Sequence, residues 1–224
     1  MSDTRPFLHE ALDRIRADVV LMAGLVEEGI ANATSILLEG GDPAPMYARD
    51  DRIDELEQAI DERVCSVIAT QTPVAGDLRA LLAAVRVITD IERTGDLMLT
   101  VVKSAGYMNA QLLPAEVRGL VQRMGEEAQL LYRSAVDAWV DLDLRLAASL
   151  PALDAGLDAL TADLYARLLS REPDVERGAV VGLALVARCY ERAGDHAVNI
   201  GRRVVFTLTG IRPPEHAPSR GQSA

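Results

Sequence analysis

Two short stretches of this 224-residue chain repeat one chemistry: residues 91–96 read IERTGD and residues 190–195 read YERAGD. Each sets a Glu and an Asp four residues apart, Glu92 with Asp96 and Glu191 with Asp195. In a helix such positions stack on one face, so each hexamer predicts a pair of parallel carboxylates. Hard oxygen donors on facing helices are the material of metal sites in helical bundles. Further pairs lie upstream of each hexamer. Asp50 and Asp54 are four apart and are followed by Glu57 and Asp61, and Asp51 with Glu55 could stand in for them. In the second half Asp154 and Asp158 are four apart, flanking Leu157.

The apolar stripe Leu78, Leu81, Val85 and Ile88 leads into Glu92 and Asp96 and on to Leu99 and Val102. The carboxylates are therefore expected to interrupt a core face. Buried, mutually repelling carboxylates are costly and have raised pKa values, so something positive should offset them. Arg93 and Arg192 point about 100° away from the acidic face and suit a neighbouring helix better. A multivalent cation is the sharper candidate. One acidic pair alone reads as a solvated helix face; four pairs in a duplicated arrangement do not. Gly95 and Gly194 are unfavourable inside helices and point to close helix approach or room for a ligand.

These carboxylates need long helices to carry them. Leu8, Leu12, Ile15, Val19, Met22, Val26 and Ile30 mark one helix face, closed by EGGDPAP at 39–45. Ile53, Leu56, Ile60, Val64 and Val67 mark a second helix, ending near TQTP. A third opens over 73–77 and ends near Tyr107. LLPAEV at 112–117 starts a fourth, expected to reach about Ala147. The fifth carries Leu150, Leu153, Leu157, Leu160, Leu164 and Leu168, and a sixth is expected from about Asp174 to Thr209. Nothing alternates with period two, so no sheet is expected. Glu191 follows Glu92, and Asp195 follows Asp96, by the same 99 residues. The expected fold is all-α: two tandem three-helix bundles from an internal duplication, residues 1–110 and 111–212, with a disordered tail at 213–224.

Composition narrows the function. A net charge of -11 with no basic patch argues against nucleic-acid binding. The N-terminus is charged where an export signal is apolar, which points to the cytoplasm. The apolar run 178–187 is too short to span a bilayer. Cys65 and Cys189 form no disulfide framework and read as small buried thiols. No Gly-rich phosphate loop and no Ser, His and Asp set can be assembled.

The runs DLRALLAAVRVITDIERTGDL and ALVARCYERAGDHAVNIGRRVVFTLTG resemble the two signature segments of the PhoU family of phosphate-signalling proteins, and FLHEALDRIRADVVLMAGLVEEGIANA is similar too. The likeness spans roughly residues 5 to 212. It implies two three-helix bundles whose E(D)xxxD pairs hold multinuclear iron or zinc clusters: Asp50, Asp54, Glu92 and Asp96 in one, Asp154, Asp158, Glu191 and Asp195 in the other. Asp77, in DLR, has Glu176 at the same offset of 99, but DVERGAV departs from the DLR form. The resemblance also implies a non-enzymatic cytoplasmic adaptor between the ATPase of a phosphate transporter and a sensor histidine kinase, meeting the membrane only through these partners and restraining the phosphate-starvation response. A weak homodimer or larger assembly, rather than a permanent one, is expected from the exposed helix faces.

The alternative is a carboxylate-bridged di-metal oxidase, which should show Glu-x-x-His on two helices; none is present. His196 reads as a packing or second-shell group, Trp139 as a core residue or interface anchor, and His9 and His216 as surface residues.

Overall fold

The computed structural model describes residues 6–170 and 175–211. It contains six α-helices: α1 (Pro6–Glu39), α2 (Ala44–Gln71), α3 (Ala75–Ser104), α4 (Ala115–Asp141), α5 (Leu144–Leu168) and α6 (Arg177–Thr209). Single 3-10 turns at Ala105–Tyr107 and Ala110–Leu112 lead from α3 to α4. No strand occurs among the described residues. The chain is all-α, two three-helix bundles in tandem: α1, α2 and α3 pack together, as do α4, α5 and α6. The expected start of the last helix at Asp174, the tail from 213 and His216 lie outside the described residues.

Within each bundle, short connections make sequential helices antiparallel neighbours. Gly40 (φ 85°) ends α1 in the left-handed region and donates its N–H to the Ile36 carbonyl. Asp42 then accepts from the Ala44 amide at 2.9 Å to open α2. Gly210 (φ 74°) closes α6 in the same manner, bonding Phe206 O at 2.8 Å.

The break between α4 and α5 comes earlier than the apolar pattern suggests. Leu142 turns left-handed (φ 50°), and Asp143 accepts from the amides of Arg145 and Leu146 at 2.8 and 3.1 Å. That cap starts α5 at Leu144, so α4 does not reach Ala147, and Pro151 falls inside α5.

The core is one continuous cluster of Leu, Ile, Val, Met and Ala. Burying each large aliphatic side chain contributes about 1.5–3 kcal/mol. α1 is long and apolar enough to cross a membrane by length and composition alone; here Leu8, Ile15, Val19, Met22, Val26 and Ile30 are buried within the core.

α3 and α6 join the bundles. They run antiparallel, which three contacts establish: Asp90 with His196, Arg79 with the Thr207 carbonyl, and Ser104 with Gly182. The residue numbers add to 286 in each case (90 and 196, 79 and 207, 104 and 182). α1 and α4 are likewise paired, Glu27 with Arg133 and Thr34 with Gly125. The molecule thus has an approximate two-fold axis perpendicular to the α3–α6 pair, with α2 and α5 on the outside.

Candidate functional site

Each bundle has an acidic groove between its second and third helices. In the first, Asp50 and Asp54 of α2 face α3, where Glu92 and Asp96 project. The pairings show in the electrostatics. Burial, then Asp54 and Asp96, raises the Asp50 pKa; burial, then Asp96, raises that of Asp54. Glu92 is pushed up to about 7, by burial first and then by Asp96, Glu57 and Asp54. The alternative pair turns outward: Asp51 and Glu55 are exposed, and Glu55 binds Arg52 at 2.7 Å.

The second groove repeats the plan more tightly. Asp154 and Asp158 of α5 face Glu191 and Asp195 of α6. Asp154 is pushed up to about 7, by burial and then by Asp158, Asp195 and Glu191, with Arg202 opposing. Burial, Glu191 and Asp195 raise Asp158. One buried Asp154 oxygen, Oδ1, has no hydrogen-bond partner, a costly state for an acceptor removed from water. Glu191 is engaged by Arg188 at 2.8 Å.

The glycines of the repeated hexamers explain the approach. A Cβ at Gly194 would run into Asp154 Oδ1 and lie 3.0 Å from Leu157, and one at Gly95 would lie 3.3 Å from Ile53 with Asp50 at 3.9 Å. At Gly194 the missing Cβ leaves the space into which Asp154 leans; at Gly95 the close neighbour is the end of Ile53, and Asp50 is at ordinary contact distance.

The carboxylates do not interrupt the core stripe as the periodicity predicts. Glu92, Asp50, Asp154 and Glu191 are half-buried, and Asp54, Asp96, Asp158 and Asp195 are exposed. They sit one step round the helix from the true core, which on α3 runs through Leu81, Ile88, Ile91, Met98 and Val102. Each groove is a partly desolvated, acidic cleft open to solvent, and the two-fold relation puts both on the same side of the molecule.

Against a metal ion the fit is one of chemistry. The donors are hard carboxylate oxygens, with raised pKa values at Asp50, Asp54, Glu92, Asp154 and Asp158 and one orphaned buried oxygen on Asp154, which suits a cation. As the side chains stand, no three His, Cys, Asp or Glu groups among the described residues converge on one point to hold an ion.

The PhoU domain model matches this chain twice, over residues 19–105 and 121–204. The chain belongs to the PhoU family. It is 35% identical over 212 residues to the phosphate-specific transport system accessory protein PhoU homolog 2 of Mycobacterium tuberculosis, covering 93% of this chain and all of the relative. Homolog 1 of the same species is 36% identical over 217 residues, covering 94% and 97% of the two chains. Crystalline PhoU from Pseudomonas aeruginosa superposes with a TM-score of 0.82 at 27% identity, over 91% of this chain and 99% of that one. The phosphate transport system regulatory protein PhoU from Streptococcus pneumoniae gives 0.83 at 21% identity over 92% and 99%, a likeness of fold.

Both PhoU matches contain their acidic hexamer, so the duplicated grooves coincide with the duplicated domain. Other residues depart from the sequence reading. Glu57, half-buried on α2, joins the first groove, where Thr89 donates to it at 3.3 Å and Arg93 lies near enough to lower its pKa against the effect of burial. With Asp50 and Asp54 matched to Asp154 and Asp158, an offset of 104 on these two helices, its position in the second half holds Thr161. Cys65 is exposed on α2 rather than buried, because its position falls outside the Ile60, Val64, Val67 face. Cys189 is buried as expected, its thiol pushed up to about 11 by burial. Leu153 is likewise exposed. Trp139 is core, with no partner for its indole N–H.

His196 is neither exposed nor in the groove. It is 6% exposed, against α3, with Nδ1 at 3.1 Å from Asp90 Oδ1. Asp90 is the carboxylate that the sequence reading overlooked. It is 6% exposed, the only buried acidic residue among those described. Its signal was present in the sequence: an Asp two residues before Glu92, on the opposite face of the same helix, amid apolar neighbours.

Proposed function

We propose that this PhoU-family chain is a cytoplasmic adaptor that restrains phosphate uptake and phosphate-starvation signalling by coupling the ATPase of a phosphate ABC transporter to a sensor histidine kinase. The observation that carries the reading is the duplicated domain itself. Two similar bundles held side by side present two similar faces, a form suited to bridging two proteins rather than to turning over a substrate. The names of the relatives, accessory proteins of a phosphate-specific transport system, support the transport side of it.

Iron or zinc in the grooves belongs to the same proposal. Asp50, Asp54, Glu92 and Asp96 would hold one cluster and Asp154, Asp158, Glu191 and Asp195 the other, supplying fixed positive charge for acidic partner groups on an otherwise anionic surface. Raised carboxylate pKa values, the unpartnered Asp154 Oδ1 and the glycine clearances support it. A weak homodimer is part of the reading, and sedimentation across a concentration series tests it.

The deciding experiment is genetic. Deletion of the gene, with no redundant copy present, should leave the phosphate-starvation programme switched on in phosphate-rich medium, and the intact chain should restore repression. Normal repression in the deletion strain would falsify the adaptor. Loss of metal from a Glu191→Ala, Asp195→Ala variant without loss of repression would make the second cluster structural and leave the adaptor standing.

A further inference from the structure

The α3–α6 contact joins two copies of one repeat, and repeats that resemble each other can also pair with themselves. Residue n of α3 corresponds to n + 99 of α6 and faces 286 − n of α6. A pairing of α3 with α3 of a second copy in the same geometry would bring n against 187 − n. Nothing in the backbone forbids that exchange, so the side chains must choose.

Among the places where the interface differs between the repeats, two bear directly on that choice. Asp90 and His196 meet at 3.1 Å, His196 Nδ1 against Asp90 Oδ1, both nearly sealed from water. Their repeat counterparts are Cys189 and Leu97, which fall opposite each other in the same register (97 and 189 again add to 286) and are buried and apolar. Gly182 is the second place. A Cβ there would lie 3.2 Å from the Tyr107 Cβ and 3.3 Å from the Ser104 carbonyl, and its counterpart on α3, Ala83, has that Cβ.

We infer that the Asp90–His196 pair, with Gly182 beside Ser104, selects pairing of the first repeat with the second within one chain over pairing of like repeats between chains. In an α3–α3 pairing Asp90 would face Leu97 of the second copy, leaving a buried carboxylate without a partner, and Ala83 would press its methyl on the Ser104 carbonyl. In an α6–α6 pairing His196 would face Cys189 of the second copy. Removing one partner of a buried polar pair is costly, whereas an apolar pair in its place is close to neutral. The pair therefore contributes little to stability and much to choice, as a single buried polar residue does in fixing coiled-coil register.

The test removes the polar asymmetry from the full-length chain in two opposite ways and leaves the Gly182–Ala83 difference in place. D90L/H196L makes both sides apolar. L97H/C189D makes both sides polar, so that Asp90 and His196 find complementary groups in like-repeat pairings as well. Donor-labelled and acceptor-labelled preparations of each variant are mixed, unfolded, refolded together and read by intermolecular energy transfer and sedimentation, beside the unchanged chain treated identically. The intermolecular fraction should rise about tenfold in both variants, equivalent to about 1.4 kcal/mol of lost discrimination. The exchanged pair D90H/H196D should stay at the level of the unchanged chain. An intermolecular fraction that remains at that level in either refolded symmetric variant overturns the inference. If D90L/H196L does not refold, L97H/C189D decides alone.

Discussion

Asp154 of α5 leans over Gly194 of α6, its Oδ1 occupying the space where any other residue would carry a Cβ. Gly194→Ala should therefore displace the carboxylate or push the helices apart. Overpacking of this kind costs typically about 1–3 kcal/mol. The unfolding midpoint in denaturant should fall by that amount, and Gly95→Ala, whose nearest contact is the flexible end of Ile53, should cost less. Equal losses at the two positions would contradict the account of the second groove as the tighter one.

The acidic grooves make stability depend on pH, with a definite sign. Glu92 and Asp154 titrate near 7 in the folded protein against ordinary values of 4.5 and 3.8. Between those limits the native state binds more protons than the unfolded state, so these groups destabilise progressively as pH rises from about 4 to about 7. In protein stripped of metal by a chelator, the melting temperature of E92Q/D154N should fall less across that window than that of the unchanged chain. Parallel profiles for the two proteins would show that these carboxyls are not the groups responsible.

The metal reading predicts independence of the grooves. Protein purified without chelator should bind metal in both halves, and Glu92→Ala with Asp96→Ala should remove the metal of the first half alone. Elemental analysis beside a circular dichroism spectrum decides it. Undiminished metal in a folded double variant removes those residues from the site.

A hydrogen bond between Tyr190 and Thr34 crosses from one bundle to the other at 2.7 Å, deep in the core, while Thr34 itself donates to the Ile30 carbonyl at 2.9 Å. Tyr190→Phe leaves the Thr34 hydroxyl still bonded, so the loss should be about 1 kcal/mol. Gly125→Ala places a methyl against the Thr34 side chain and should cost more. Denaturant titration orders the two, and the reverse order would show that α4 can move aside.

Most of the fold was legible because long helices repeat their signal many times. The stripe from Leu8 to Ile30 and the matched hexamers at 91 and 190 each agree with the architecture at several independent points. What the sequence hid were single events. The α4–α5 break rests on Leu142 adopting a left-handed conformation and Asp143 capping, with no Gly or Pro to announce it. Pro151 lies within α5, and the Ala147 carbonyl it leaves without a helix amide sits beside Gly201. In the candidate site the pairing of acidic residues was readable from the four-residue spacing. The degree of burial was not, because a shift of one position round a helix separates the core from its rim. Asp90 was missed since its partner lies 106 residues away, on a helix whose register against α3 no local pattern reveals.

The pairing of α3 with α6 also sets a clock on synthesis. Helical bundles with short connections close in microseconds to milliseconds, so the first repeat can form soon after it leaves the ribosome. The α3 surface that will meet α6 then stays bare until residues as far as Thr209 have emerged. At about 5–20 residues per second the intervening stretch of about 100 residues takes roughly 5–20 s. For that interval the nascent chain displays an apolar helix face with a carboxylate, Asp90, at its centre, and the tempo of translation rather than of folding governs how long that face needs shelter from chaperones.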